Sequence, residues 1–211
     1  MKKYTVEFIG TFFLVMGAAL GGAIGATLAL MVMIYAGGHI SGTHYNPAVT
    51  LAMIIRGKAT VPEAVAYFMA QLAGGIAAAL LVTYVFEAKG PGECIVADEN
   101  LVKALAAEII GTFALAYVVL NVATTKGTSG NSFYGIAIAG TVLAMAMVLG
   151  KFSGGVFNPA VAVGLSIQGA LCWSQIWIYL VACMGGGGLA ALVFNYINKE
   201  DTKTPPIRDA D

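Results

Sequence analysis

The sequence predicts an all-α membrane protein with six transmembrane helices and two re-entrant half-helices, arranged as an inverted 3+3 repeat. Three observations carry this. Only 10% of the 211 residues are charged while 59% are hydrophobic, and the mean hydropathy is +0.83; a soluble domain carries about 25% charged residues. Charges and loop residues divide the apolar sequence into segments of membrane-spanning length, about 20 residues each. A nine-residue motif at Ser41–Val49 returns 112 positions later at Ser153–Val161.

The same composition excludes other classes. An ordinary cytosolic enzyme or a disordered chain would hold more charge. The 11 basic residues balance 11 acidic ones, so no field of one sign exists to attract nucleic acid. Cys94, Cys172 and Cys183 make neither a disulfide scaffold nor a metal-site pattern. No Ser/His pair, paired Asp or metal cluster falls at catalytic spacing, so neither an enzyme nor a bound cofactor is expected. Lys2-Lys3 before an apolar run superficially resembles a signal peptide. Glu7 interrupts that run, and the same local pattern returns at Glu108, far from the N-terminus.

Each element follows from length and punctuation. Phe8 to Gly38 holds no charged residue, and as one helix it would be roughly 46 Å long, too long for a core of about 30 Å. It reads as two spans, about 4–20 and 22–38, broken near Gly21-Gly22. Further spans fall at about 62–86, 102–123, 132–150 and 174–197. A polar segment occupies 87–100 and a Gly/Ser/Thr stretch 125–132. Residues 1–197 therefore form one transmembrane domain, with repeat one over about 4–86 and repeat two over about 102–197. Residues 198–211, with Pro205-Pro206 and mixed charges, read as a disordered cytoplasmic tail. An even number of spans puts both termini on one side, with Lys2, Lys3, Arg56, Lys58, Lys126, Lys199, Lys203 and Arg208; Lys89, Lys151 and Lys103 face the other. The positive-inside rule makes the first side cytoplasmic, and the opposite loop carries Glu87, Glu93, Asp98 and Glu99.

The repeat extends beyond the motif. Tyr67, Ala70, Gly74, Gly75, Ala78 and Ala79 fall on Tyr179, Ala182, Gly186, Gly187, Ala190 and Ala191, while Glu7-x-x-Gly10-Thr11-Phe12 returns as Glu108-x-x-Gly111-Thr112-Phe113. Three spans per half is an odd number, so the halves insert in opposite orientations, and such folds place their site at the midplane.

At the centre of the motif stand Asn46-Pro47-Ala48 and Asn158-Pro159-Ala160. Asn caps a helix by accepting from its first free amides, and Pro suits the first turn because its missing N–H costs nothing there. The first such helix would run from Pro47 to about Arg56, roughly 15 Å, or half the hydrocarbon thickness. The preceding Ser-Gly stretch is then non-helical at membrane depth, which requires surrounding protein or a water-filled cavity. One half-helix enters from each face and their N-termini meet. Each end carries about +0.5 charge, a barrier to cations and protons, while the Asn46 and Asn158 amides can donate to a passing oxygen. The pattern implies a pore for small neutral molecules.

These residues, together with Gly38-His39-Ile40-Ser41-Gly42 and Ala70-Gln71-x-x-Gly74, make the chain similar to the aquaporin (major intrinsic protein) family over about residues 4–197. The resemblance implies a channel for water and small neutral solutes in a plasma-membrane bilayer, and a homotetramer with one pore per subunit. It implies that Glu7 and Glu108 hold the backbone of the re-entrant segments and that His39 fills a supporting position. The family usually carries Arg three residues after the second Asn; here that position is Val161. The remaining constriction positions fall by resemblance on Ala26, Ala146 and Gly155, although a one-residue slip would bring Gly25 or Thr27 forward. This ring is wider and more apolar than a water-selective one, so weak selectivity is expected, with cation exclusion left mainly to the half-helix dipoles. A wide-filter channel for glycerol, urea, ammonia or metalloid acids is the alternative, and a non-conducting structural protein of the same fold another.

Lys151 is expected to snorkel from the outer mouth rather than replace the missing Arg. Tyr45 and Phe157 are expected to wedge the half-helices. The glycines at 74–75 and 185–188 read as faces for close helix crossing. Cys94 and Cys172 both fall near the outer face; free thiols are the plain expectation and a disulfide the alternative.

Overall fold

The computed structural model describes residues 1–92, 94, 96 and 100–202. The acidic residues Glu93, Asp98 and Glu99, and the tail from Lys203 onward, lie outside the described residues.

Helix α1 (Lys2–Ser41) is broken at Gly22, whose φ of 56° and ψ of −146° belong to a region open essentially to glycine. The chain folds back there. Gly17 and Gly25 bring the two arms so close that a Cβ on either would overlap the carbonyl of the other. Arms α1a (2–21) and α1b (23–41) are therefore separate crossings, as the length argument requires. The second arm continues past Gly38 to Ser41, because the left-handed C-cap is Gly42, whose N–H returns to the Gly38 carbonyl.

The other crossings are α3 (Val61–Tyr84), α4 (Leu101–Thr124), α5 (Tyr134–Ser153) and α7 (Ile176–Ile197), all apolar enough to span a bilayer. Between them lie the short helices α2 (Pro47–Ile55) and α6 (Pro159–Gln168). Their nine and ten residues reach about 14–15 Å, half a bilayer core.

The two halves interlock through glycine. Gly75 on α3 lies against the Ala160 carbonyl of α6, and its repeat mate Gly187 on α7 against the Ala48 carbonyl of α2. Gly74 faces the Phe8 carbonyl and Gly186 the Ile109 carbonyl. Within the run Gly185–Gly188 only the middle two are pressed in this way; a Cβ at Gly185 would meet open space. Each half-helix is thus clamped by the last crossing of the other half.

At the face carrying Lys2 and Ile197, here the terminal face, Arg56 is buried at the end of α2. It donates to Thr124 Oγ1 at 3.2 Å and to the Asp201 carbonyl at 3.1 Å, and stacks on Phe194. A cation there complements the negative end of the half-helix. Asp201 lies in a four-residue helix, α8 (Lys199–Thr202), where it bonds Arg56 and the Lys126 amide.

At the opposite face the structure corrects the free-thiol expectation. Cys94 and Cys172 form a disulfide across 78 residues. The polar segment after α3 is laid along the end of α6: Gly90 N–H donates to the Gln168 carbonyl, Gly92 N–H to that of Gly169, and Gln168 Nε2 to that of Ala88. These bonds bring the two sulfurs together.

Candidate functional site

The re-entrant segments repeat one backbone pattern. Gly42, Thr43 and Tyr45 have φ of 77°, 51° and 49°; Gly154, Gly155 and Phe157 have 90°, 67° and 51°. Left-handed backbone is rare outside glycine and costs about 1–2 kcal/mol per residue. It persists because each segment is held by a buried carboxylate. Glu7 Oε1 accepts from Ser41 Oγ at 2.7 Å and the His44 amide at 2.9 Å; Oε2 accepts from the Tyr45 amide at 2.7 Å and Gln71 Nε2 at 2.8 Å. Glu108 Oε1 accepts from Ser153 Oγ at 2.7 Å and the Val156 amide at 2.9 Å; Oε2 accepts from the Phe157 amide at 2.7 Å and the Cys183 thiol at 3.4 Å. Tyr67 and Tyr179 complete the pair by donating to the Ser41 and Ser153 carbonyls. Both carboxylates are fully buried, and charge-assisted bonds of this kind are about twice as strong as neutral ones.

The aromatic residues before each Asn press on glycine. A Cβ at Gly10 would overlap the Tyr45 ring, and one at Gly111 the Phe157 ring. The Glu-x-x-Gly pairs in the two halves therefore supply a carboxylate for the backbone and a flat seat for the ring one turn later.

Each Asn side chain is fully oriented. Asn46 Oδ1 accepts from the Ala48 amide at 2.8 Å, and Asn158 Oδ1 from those of Ala160 and Val161 at 2.9 and 3.4 Å. Asn46 Nδ2 donates to the Phe157 carbonyl and Asn158 Nδ2 to the Tyr45 carbonyl. A side-chain amide has two N–H groups, so each Asn retains one. Pro47 and Pro159 occupy the first helical turn beside them.

Asn46 and Asn158 line one cavity of about 120 Å³, room for several waters. All four positions carried over by resemblance, Ala26, Ala146, Gly155 and Val161, line it too. Neither Gly25 nor Thr27 is among its lining residues; Gly25 is occupied by its crossing with Gly17. Gly155 touches Ala146, a Cβ there meeting Ala146 Cα at 3.1 Å, so two of the four positions are direct neighbours. Lys151 is exposed at the end of α5, 5.0 Å from the Phe152 ring centre, and does not line the cavity.

The structure does not bring His39 into the group around Glu7. Helix α1b continues through it and leaves it exposed. The buried imidazole is His44, with Nδ1 3.0 Å from Thr50 Oγ1 and its ring edge-on to Tyr67 at 4.9 Å. Sequence reasoning also missed Gln71 and Cys183 as equivalent groups. They occupy matching repeat positions and each bonds a carboxylate, but they are chemically unlike, so a search for repeated identities passes over them.

The sequence matches the family described as major intrinsic protein over residues 1–194. It is 34% identical over 218 residues to the glycerol uptake facilitator protein-like 6 of Lactiplantibacillus plantarum, covering 95% of this chain and all of that one. It is 39% identical to the probable aquaporin TIP3-2 of Arabidopsis thaliana, covering 87% of this chain and 69% of that one. The fold is similar to the X-ray structure of the aquaglyceroporin from Plasmodium falciparum, with a TM-score of 0.77 at 19% identity over 96% of this chain and 99% of that one. With paired half-helices, paired carboxylates and a match spanning nearly its full length, the chain belongs to the major intrinsic protein family of membrane channels.

Proposed function

We propose that the chain is a passive transmembrane channel for water and small uncharged solutes. One observation carries this reading: a single cavity passes both Asn46 and Asn158, where two half-helix N-termini meet. Each terminus contributes about half a positive charge, so cations and protons meet a barrier that neutral solutes do not. The spare N–H of each Asn amide donates to a solute oxygen in transit. Glu7 and Glu108 keep the segments carrying those amides in place.

The ring of Ala26, Ala146, Gly155 and Val161 offers no side-chain donor, so any orientation there rests on backbone carbonyls. Such a ring suits a wide-filter channel, and the names of the relatives make glycerol the natural test solute beside urea, ammonia and metalloid acids. The excess of Lys and Arg on the terminal face supports cytoplasmic termini, and the family resemblance is what favours a plasma membrane. The family resemblance supports a homotetramer with one pore per subunit.

Stopped-flow swelling and shrinkage of proteoliposomes tests the reading. Water permeability should exceed that of empty liposomes with a low activation energy, and an imposed proton gradient should persist. Permeability equal to empty liposomes for water, glycerol and urea would refute it.

A further inference from the structure

The inverted repeat gives every lumen position near the opposite face a mate near the terminal face. Ala146 pairs with Ile34, Ala26 with Ile138, Gly155 with Thr43, and Val156 with His44; all eight line the one cavity. The mates share one backbone, since both re-entrant segments repeat the same left-handed triplet. At these four pairs the side chains differ in one direction, while the further lumen pair Val161 and Val49 is identical. Each terminal-face mate is larger than its partner: isoleucine replaces alanine twice, threonine replaces glycine and histidine replaces valine.

Burial follows at two of the four pairs: Ala146 and Gly155 are partly open to solvent, whereas Ile34 and Thr43 are 1% and 9% exposed; the pairs Ala26 with Ile138 and Val156 with His44 are buried alike. The terminal-face ring also holds a polar group that the other lacks. Thr50 Oγ1 lies 3.1 Å from the Asn46 carbonyl, 3.0 Å from Gln71 Nε2 and 3.0 Å from His44 Nδ1. A hydroxyl has one proton and two lone pairs. With that proton on the carbonyl, the hydroxyl accepts from Gln71 and from His44 Nδ1–H, which leaves His44 Nε2 a free acceptor. His44 lines both this cavity and a second one opening on the terminal face beside Met53 and Lys58. It therefore stands where the lumen meets that mouth.

Resting on the channel reading, we propose that the solute-selecting constriction lies on the terminal-face side of the Asn pair, formed by Ile34, Ile138, Thr43 and His44, with His44 Nε2 as its hydrogen-bonding group. The size limit is set by the two isoleucines. A solute donating one hydrogen bond, such as water or urea, passes in contact with the imidazole, and a bulkier polyol is retarded.

Proteoliposomes carrying wild-type protein, Ile34→Ala, Ile138→Ala, His44→Ala or Val161→Ala would be compared for water, urea and glycerol permeability in the same preparation. The readout is the glycerol-to-water ratio, which partial misfolding does not move because it lowers both terms together. Ile34→Ala and Ile138→Ala should raise the ratio at least fivefold, and His44→Ala should lower urea selectivity over glycerol. Should a truncation fail to fold, Ile34→Val and Ile138→Val test the same positions by removing one methyl group each, with a smaller rise expected. Ratios unchanged in all terminal-face variants, or raised as much by Val161→Ala, would overturn the proposal while leaving the channel reading intact. Wild-type water permeability equal to empty liposomes would instead overturn the channel reading and this proposal with it.

Discussion

The Asn46 side chain donates to the Phe157 carbonyl at 2.8 Å, a bond that crosses from one half of the chain to the other. Asn158 returns it to Tyr45 at 2.9 Å. Each amide thus caps its own half-helix with its oxygen and ties down the facing segment with one N–H. What remains is one donor per Asn in a fixed direction, between two helix ends of the same sign. Asn158→Asp replaces that donor with a carboxylate and places negative charge at the meeting point of two positive ends. Proton flux into vesicles loaded with a pH-sensitive dye should rise well above wild type. An unchanged proton leak would mean the dipoles are not the barrier.

The carboxylates are as exacting. Glu7→Gln or Glu108→Gln sets an NH2 group where an amide N–H already donates. Each buried amide left unpaired costs about 1–3 kcal/mol, and the left-handed triplet loses what holds it. Thermal unfolding of the purified protein in detergent should shift down by several degrees for either change and further for both. A shift of less than a degree would show that the hydroxyl and tyrosine contacts alone hold the segments.

The fold was legible where chain length and residue chemistry leave one solution. The stretch around Gly22 is too long for one crossing and too apolar for a loop, so a break had to fall at its paired glycines. Asn-Pro pairs start helices wherever they stand. Less legible was anything set by a contact distant in sequence. Nothing near His39 or His44 says which one is buried; that depends on helix α1b running on to Ser41 and capping at Gly42. Cys94 and Cys172 meet because Gly90 and Gly92 hydrogen-bond the end of α6, a pairing that no local pattern encodes. The contact between Asp201 and Arg56 likewise joins residues more than a hundred positions apart.

The ring seats predict a rescue. Gly111→Ala drives a methyl group into the Phe157 ring, and overpacking of this kind costs about 1–3 kcal/mol. Adding Phe157→Leu removes the colliding edge and should recover at least half of the lost thermal stability. A double variant as unstable as the sum of the single changes would place the strain elsewhere, since independent sites add.

The disulfide gives a redox-dependent prediction. Cys94 is exposed and Cys172 partly so, so a mild reductant reaches the bond. Closing a loop of this length contributes about 2–4 kcal/mol. Reduction, or Cys94→Ser, should lower the thermal midpoint and speed proteolysis within the segment after α3. It should leave water permeability within about twofold, because the bonds from Gly90 and Gly92 to α6 remain. Identical proteolysis rates with and without reductant would show that those backbone bonds suffice to hold the segment.

Val161 occupies the position where the family resemblance calls for Arg, and it lies in the cavity beside the Asn158 cap. Val161→Arg adds a long cationic side chain with five donors to a ring otherwise made of two alanines and a glycine. The change narrows the opposite-face side of the lumen and gives it the polar group it lacks. Urea and glycerol permeability should fall several-fold while water falls less, and the contrast should be largest in the Ile34→Ala background, where the terminal-face ring no longer limits passage. Solute swelling rates in reconstituted vesicles decide it: equal losses for water and glycerol would mean that Arg blocks the lumen outright, and no loss for either would remove Val161 from the ring.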